Sequence, residues 1–182
     1  QCVAISGNTA VLGVPNDTDA KGIETGSVHI FEKELGHWIL KQKMFPSEGY
    51  EGLSFGENVD IDIDTIAVGA PGSVYILQRN GTNNKWEEHS KVSREGSFGS
   101  GVGIKGTTLI VNSRSSIFAF EYDSESNSYQ QRQGNLLDKH LNGDPISTSY
   151  GRGGGRALRI TNEGGIFVAG GNDKSSPQVL YY

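Results

Sequence analysis

Residues 54–77 read Ser54-Phe55-Gly56-Glu57-Asn58-Val59-Asp60-Ile61-Asp62-Ile63-Asp64-Thr65-Ile66-Ala67-Val68-Gly69-Ala70-Pro71-Gly72-Ser73-Val74-Tyr75-Ile76-Leu77. Apolar and polar residues alternate from Val59 to Asp64, and Ser73–Leu77 repeats with period 2 rather than 3.6, which predicts strands. Between them the small apolar run Ile66–Ala70 closes in a turn at Pro71. The stretch therefore reads as three short strands and two tight turns, introduced by Phe55-Gly56.

The same signals recur in the same order outward from this segment. Ala10-Val11-Leu12-Gly13-Val14-Pro15 copies Ile66–Pro71, and weaker copies follow at Leu109–Asn112 and Phe167–Gly170. The alternating strand recurs as Ser27–Phe31, Ser116–Phe120 and Gln178–Tyr182, and the Phe-Gly signal as Ser97-Phe98-Gly99 and Ser149-Tyr150-Gly151. A polar turn and an aromatic close the repeat at His37-Trp38, Lys85-Trp86 and Ser128-Tyr129. Gly13 and Gly69 are 56 residues apart, Phe55 and Phe98 are 43 apart, and Phe98 and Tyr150 are 52 apart. Four short strands in a loose repeat of that length predict an all-β chain of β-propeller-type blades, each of four antiparallel strands, with three to four blades present. The approximate blades are 1–55, 56–98, 99–150 and an incomplete 151–182, in a single array. The stretch 131–148 reads as an inserted loop.

Composition agrees. The chain has 182 residues with 26 glycines, about twice the usual share. Interior glycine disfavours helices, so this points to many turns. With 16 basic and 21 acidic residues and no basic block, nucleic acid is an unsuitable partner. The apolar runs are too short for a membrane-spanning helix, and one cysteine, Cys2, cannot form a disulfide within the chain. Gln1-Cys2-Val3-Ala4 opens inside a strand pattern, which reads as a piece of a longer chain or a processed product.

Phe55-Gly56 followed about a dozen residues later by Gly69-Ala70-Pro71 resembles the FG-GAP repeat, the blade unit of integrin α-subunit heads. Gly13-Val14-Pro15 is a near match, Phe98-Gly99 and Tyr150-Gly151 keep the first half, and repeats three and four lose the second half. The resemblance implies a propeller, usually closed by about seven blades. Three to four blades therefore imply a partial or multi-chain propeller, completed by flanking sequence or by another chain, and a contact that does not close would give a filament.

Several motifs compete for a chemical role. Gly52-Leu53-Ser54-Phe55-Gly56 matches the nucleophile elbow and Gly101-Val102-Gly103-Ile104-Lys105-Gly106 a dinucleotide loop, but neither is followed by a helical pattern. Gly151-Arg152-Gly153-Gly154-Gly155-Arg156 reads as a connection between blades rather than an RNA-binding segment. Asp60, Asp62 and Asp64 form the strongest charge feature. Asp60 and Asp62 project from one strand face and repel unless solvated or bound to a cation. A polar innermost strand facing a wet channel is the plainer reading; calcium is the sharper one. Some proteins with this repeat bind calcium in an Asp-x-Asp-x-Asp-Gly loop, from which Thr65 departs. His29, His37, His89 and His140 show no metal-ligand spacing. Trp38 and Trp86 sit at one repeat phase, which predicts packing between blades. Asn16-Asp17-Thr18 and Asn80-Gly81-Thr82 are glycosylation sequons in turn-rich stretches.

The expected function is a non-enzymatic extracellular or cell-surface module acting in adhesion or assembly, without a cofactor unless calcium binds. Its partners would be other protein chains, copies of itself or the rest of a longer parent, with neither nucleic acid nor membrane insertion. The alternatives are a repeating subunit of an extracellular filament, and a carbohydrate-binding or hydrolytic propeller with its site in the central channel.

Overall fold

The computed structural model describes residues 2–113 and 116–132, with the strand backbones at 157–160, 166–169 and 178–180. The sequence calls at His140, Ser149–Arg156, Gly170 and residues 133–148 of the inserted loop lie outside these. All described regular structure is strand. The first sheet has the order β1 (Cys2–Ser6), β2 (Thr9–Val14), β3 (Ser27–Glu34), β4 (His37–Met44). The second is β5 (Asn58–Asp62), β6 (Thr65–Ala70), β7 (Ser73–Arg79), β8 (Trp86–Ser93), and the third β9 (Gly101–Lys105), β10 (Thr108–Ser113), β11 (Ser116–Asp123), β12 (Ser128–Gln131). A further sheet holds β13 (Ala157–Ile160), β14 (Ile166–Ala169) and β15 (Gln178–Leu180). Every pairing within the sheets is antiparallel.

Register makes the repeat explicit. Ser6 pairs Thr9, Asp62 pairs Thr65 and Lys105 pairs Thr108, each closing a two-residue hairpin. Counting back, Val3, Val59 and Val102 are equivalent, as are Ile5, Ile61 and Ile104. Gly13, Gly69 and Asn112 share one position on the second strand, facing Cys2, Asn58 and Gly101. On the outer strand Trp38, Trp86 and Tyr129 are equivalent, facing Lys33, Arg79 and Tyr122. Gly7 and Gly106 take left-handed φ of 56° and 55° at the hairpin turns, a conformation glycine adopts freely. In the second blade the β-branched Ile63 holds that position with φ 51°.

The core lies between sheets rather than inside one. Period-2 alternation gives each strand two faces, and neighbouring sheets interleave them. Ala4, Val11, Val28 and Ile30 of the first sheet pack with Val59, Ile61, Ile66, Val68, Tyr75, Leu77 and Trp86 of the second. Ala67, Val74 and Ile76, on the second sheet's other side, pack with Val102, Ile104, Leu109, Val111, Phe120 and Tyr129 of the third. The second sheet thus turns one face, its front, to the first sheet and the other, its back, to the third, and the equivalent faces of the first and third sheets are named alike.

Candidate functional site

The Phe-Gly pairs sit where one blade hands over to the next. Phe55 is fully buried and meets Tyr75 edge-on at 5.1 Å between ring centres. Its N–H donates to the Thr25 carbonyl at 2.9 Å, and it bridges Gly26 in parallel. Phe98 is buried among Phe118 and Phe120, each at 5.9 Å, and its carbonyl accepts the Gly72 N–H at 2.8 Å. The following glycine then inserts between two backbones. A Cβ on Gly13 would lie 2.0 Å from the Gly56 carbonyl oxygen, and one on Gly69 would lie 2.3 Å from that of Gly99. Gly56 and Gly99 donate their own N–H groups to the carbonyls of Gly69 and Asn112, both at 3.2 Å. The two halves of the repeat therefore touch each other across successive blades, which is why spacing and residue type go together.

Beside this joint the acidic strand β5 is committed to backbone. Asp60 Oδ2 accepts the Ile104 N–H at 3.0 Å, and Asp60 is only 2% exposed, so its surroundings are dry rather than a wet channel. Asp62 accepts the Gly106 N–H at 2.8 Å through one oxygen and the Lys105 ammonium at 2.9 Å through the other. Burial pushes the Asp62 carboxyl up, but these two donors more than offset it and hold it below the usual carboxylate range. Asp64 pairs instead with Arg79 Nε at 3.1 Å. The three carboxylates do not converge, and among the described residues no group of three His, Cys, Asp or Glu side chains is placed to hold a metal ion. Ser6 does the same work one blade earlier, its Oγ accepting the Ile63 N–H at 3.0 Å. An oxygen at the end of the innermost strand is thus a repeated clamp on the next blade.

Arg79 reinforces the first joint. Its guanidinium donates to Glu32 Oε1 at 2.6 Å and Thr9 Oγ1 at 2.9 Å, and lies 4.9 Å from the Trp86 ring. Gln42 on β4 closes the outer side, exchanging bonds with the Trp86 carbonyl at 2.7 Å and the Trp86 N–H at 3.0 Å.

The front face of the first blade stands apart. Val3 is 58% exposed and Ile5 57%, whereas Val59 and Ile61 are each 5% exposed. Trp38 is 42% exposed and its equivalent Trp86 2%. Leu40, on the same face of β4 as Trp38, is also exposed. The remaining candidates are local. Asp17 accepts from Ser27 Oγ, from Lys43 Nζ at 2.8 Å and from His29 Nε2 at 3.3 Å. Burial raises its carboxyl and these partners outweigh that, bringing it to about 2. His37 is exposed, and His89 Nε2 meets Asn127 Oδ1 at 3.2 Å. Asn16 is exposed, whereas the Asn80 Nδ2 is engaged with the Glu87 carboxylate at 3.2 Å. Ser54 lies in a loop with φ 55°, and Gly101–Lys105 is a strand, so neither glycine motif opens a helix. Cys2 Sγ is free and lies 3.8 Å from the Val59 carbonyl. No described helix is long and apolar enough to cross a membrane.

Sequence comparison matches residues 38–84 to the family described as FG-GAP repeat. No curated protein sequence matches the chain. Among solved structures, a protein from Lactobacillus plantarum aligns with 95% of this chain and 53% of its own, at 13% identity and a TM-score of 0.56. Sqt1 from Saccharomyces cerevisiae aligns over 93% and 44% respectively, at 9% identity and a TM-score of 0.50. At these identities the likeness is one of fold alone, and the chain spans about half the length of each. The chain carries an FG-GAP repeat on a fold of β-propeller-type blades.

Proposed function

We propose that this chain is a non-enzymatic assembly module of an extracellular or cell-surface protein, working through protein–protein contact at its blades. The observation that carries the reading is the apolar front face of the first blade, built like two faces that are buried inside the chain yet itself exposed. The FG-GAP repeat and the exposed sequon at Asn16 support the extracellular setting. A hydrolytic or sugar-binding channel would need convergent titratable groups, and the carboxylates of β5 are instead bonded to the next blade. An extracellular filament subunit is a second form of the same reading, favoured by a face that invites end-to-end stacking. Photo-crosslinking tests the proposal. A photoreactive phenylalanine analogue at position 40, in the protein in its native setting, gives a protein adduct that disappears when Trp38→Glu is added. Absence of any protein adduct refutes the assembly reading.

A further inference from the structure

We propose that the outer edge of β4 takes up an extended strand of another protein, one that alternates apolar residues with carboxylates. The inference rests on the assembly reading above and names the kind of partner. Among the described residues β4 ends its sheet and pairs only with β3, so its far edge is open in the plane of the sheet. The register shows which backbone groups that edge presents. Lys33 stands opposite Trp38, and its N–H turns away from β4 to the Asn8 carbonyl at 2.8 Å. In an antiparallel ladder this makes Lys33 and Trp38 a pair without hydrogen bonds, and Phe31 and Leu40, two residues along, another. The N–H and C=O of both Trp38 and Leu40 therefore point out of the edge, at the spacing a docking strand engages.

The second blade shows what such groups accept. Arg79 turns its N–H to the Asp64 carbonyl at 3.0 Å, so Trp86, opposite it, also points outward. There the side-chain amide of Gln42 takes both groups, its oxygen accepting the Trp86 N–H at 3.0 Å and its nitrogen donating to the Trp86 carbonyl at 2.7 Å. A side-chain amide carries the donor and acceptor of one peptide unit, and an extended backbone repeats that unit along Trp38 and Leu40. Side chains agree. Sheet edges are commonly guarded by charge, and the register places Glu87 and Glu88 on β8 where β4 has Ile39 and Leu40. Trp38, Ile39 and Leu40 are all exposed. The ionisable groups of β4, His37, Lys41 and Lys43, are all basic. Lys41 and Lys43 meet Glu34 and Asp17, whereas exposed Lys33, beside Trp38, has no carboxylate partner among the described residues. A second β4 would set basic groups against basic groups, and a strand bearing carboxylates complements them.

Amide hydrogen exchange followed by NMR at neutral pH tests the proposal. The probe is an end-blocked peptide of alternating valine and glutamate, eight residues long like β4. In the protein alone the Trp38 and Leu40 amides are expected to exchange fast, and the Ile39 amide, turned towards β3, slowly. Saturating peptide slows Trp38 and Leu40 about tenfold or more, and the same peptide with lysine for glutamate protects less. Leu40→Glu, which copies Glu88, abolishes the protection, and slow exchange at Ile39 shows that the variant keeps the strand. If it does not, Ile39→Glu, which copies Glu87, replaces it and is read at Trp38. Trp38 and Leu40 amides that are already as slow as Ile39, or that stay fast with peptide, overturn the proposal. Protection that grows with protein concentration alone assigns the edge to a second copy and overturns it too. In each of these cases a position-40 adduct with another protein leaves the assembly reading standing. Peptide protection without any adduct removes that reading and leaves the edge site.

Discussion

Replacing Gly69 with alanine tests whether the two halves of the repeat truly interlock. The added Cβ would sit 2.3 Å from the Gly99 carbonyl oxygen and must gain about 1 Å to reach ordinary contact. Gly99 has little room to give. Its φ is 86°, its N–H is bonded to the Asn112 carbonyl at 3.2 Å, and a Cβ built on it would lie 2.4 Å from the carbonyl oxygens of both Ala70 and Ser73. With backbone on both sides, the cost falls at the upper end for overpacking, about 3 kcal/mol. For a chain of this length that lowers the melting temperature by about 6–12 °C. The assay is a thermal melt followed by circular dichroism, with Gly81→Ala as control. A Cβ on Gly81 meets nothing within 4 Å, so the control is expected to stay within about 0.5 kcal/mol of wild type. A Gly69→Ala protein melting within about 1 °C of wild type refutes the interlock.

Ile63→Gly relieves a β-branched residue from φ 51° while removing a side chain that is mostly solvent-exposed, so it raises the unfolding free energy measured by urea titration by about 0.5–1 kcal/mol; an unchanged urea midpoint contradicts the strain. Asp17 titrates at about 2 in the folded chain against an ordinary 3.8. The unfolded chain binds more protons between those values, so this stabilisation is present above about pH 4 and is lost towards pH 2. Urea midpoints across that window fall less steeply for Asp17→Asn, and parallel profiles contradict the assignment. Asp60→Asn with Asp62→Asn lowers stability by about 1–2 kcal/mol in chelator alone, through weakened bonds to the Ile104 and Gly106 amides. A melting temperature that rises with calcium in wild type but not in this variant establishes a calcium role for the strand instead.

Much of the fold was legible because the repeat is written twice, once in period-2 strands and once in the phase of Phe55 and Phe98. The turn glycines Gly7 and Gly106 marked the hairpins, and of the two tryptophans expected to pack between blades Trp86 does so, whereas Trp38 is 42% exposed. Asp60 and Asp62 were harder, since local spacing shows only repulsion. Their donors, Ile104 and Gly106, lie 44 residues away on the next blade. The available signal was the recurrence of an oxygen-bearing side chain at Ser6 and Asp62, which aligned repeats display. Exposure of Val3 and Ile5 had no local signal, because they match Val59 and Ile61 in type and position. What separates them is a neighbouring sheet, which is a property of the array rather than of the strand. Asn80 matched a sequon, yet its amide is spent on Glu87 across the hairpin. Arg79 was missed altogether, since its partners Glu32 and Thr9 belong to a different blade.

The central claim is that the first blade is a docking surface for another protein chain. Electron microscopy of the particle formed by the unmodified protein in its native setting tests it most directly. The account predicts a second chain lying against β4, with Trp38 and Leu40 buried beneath it. Particles in which those residues stand bare in solvent would contradict it.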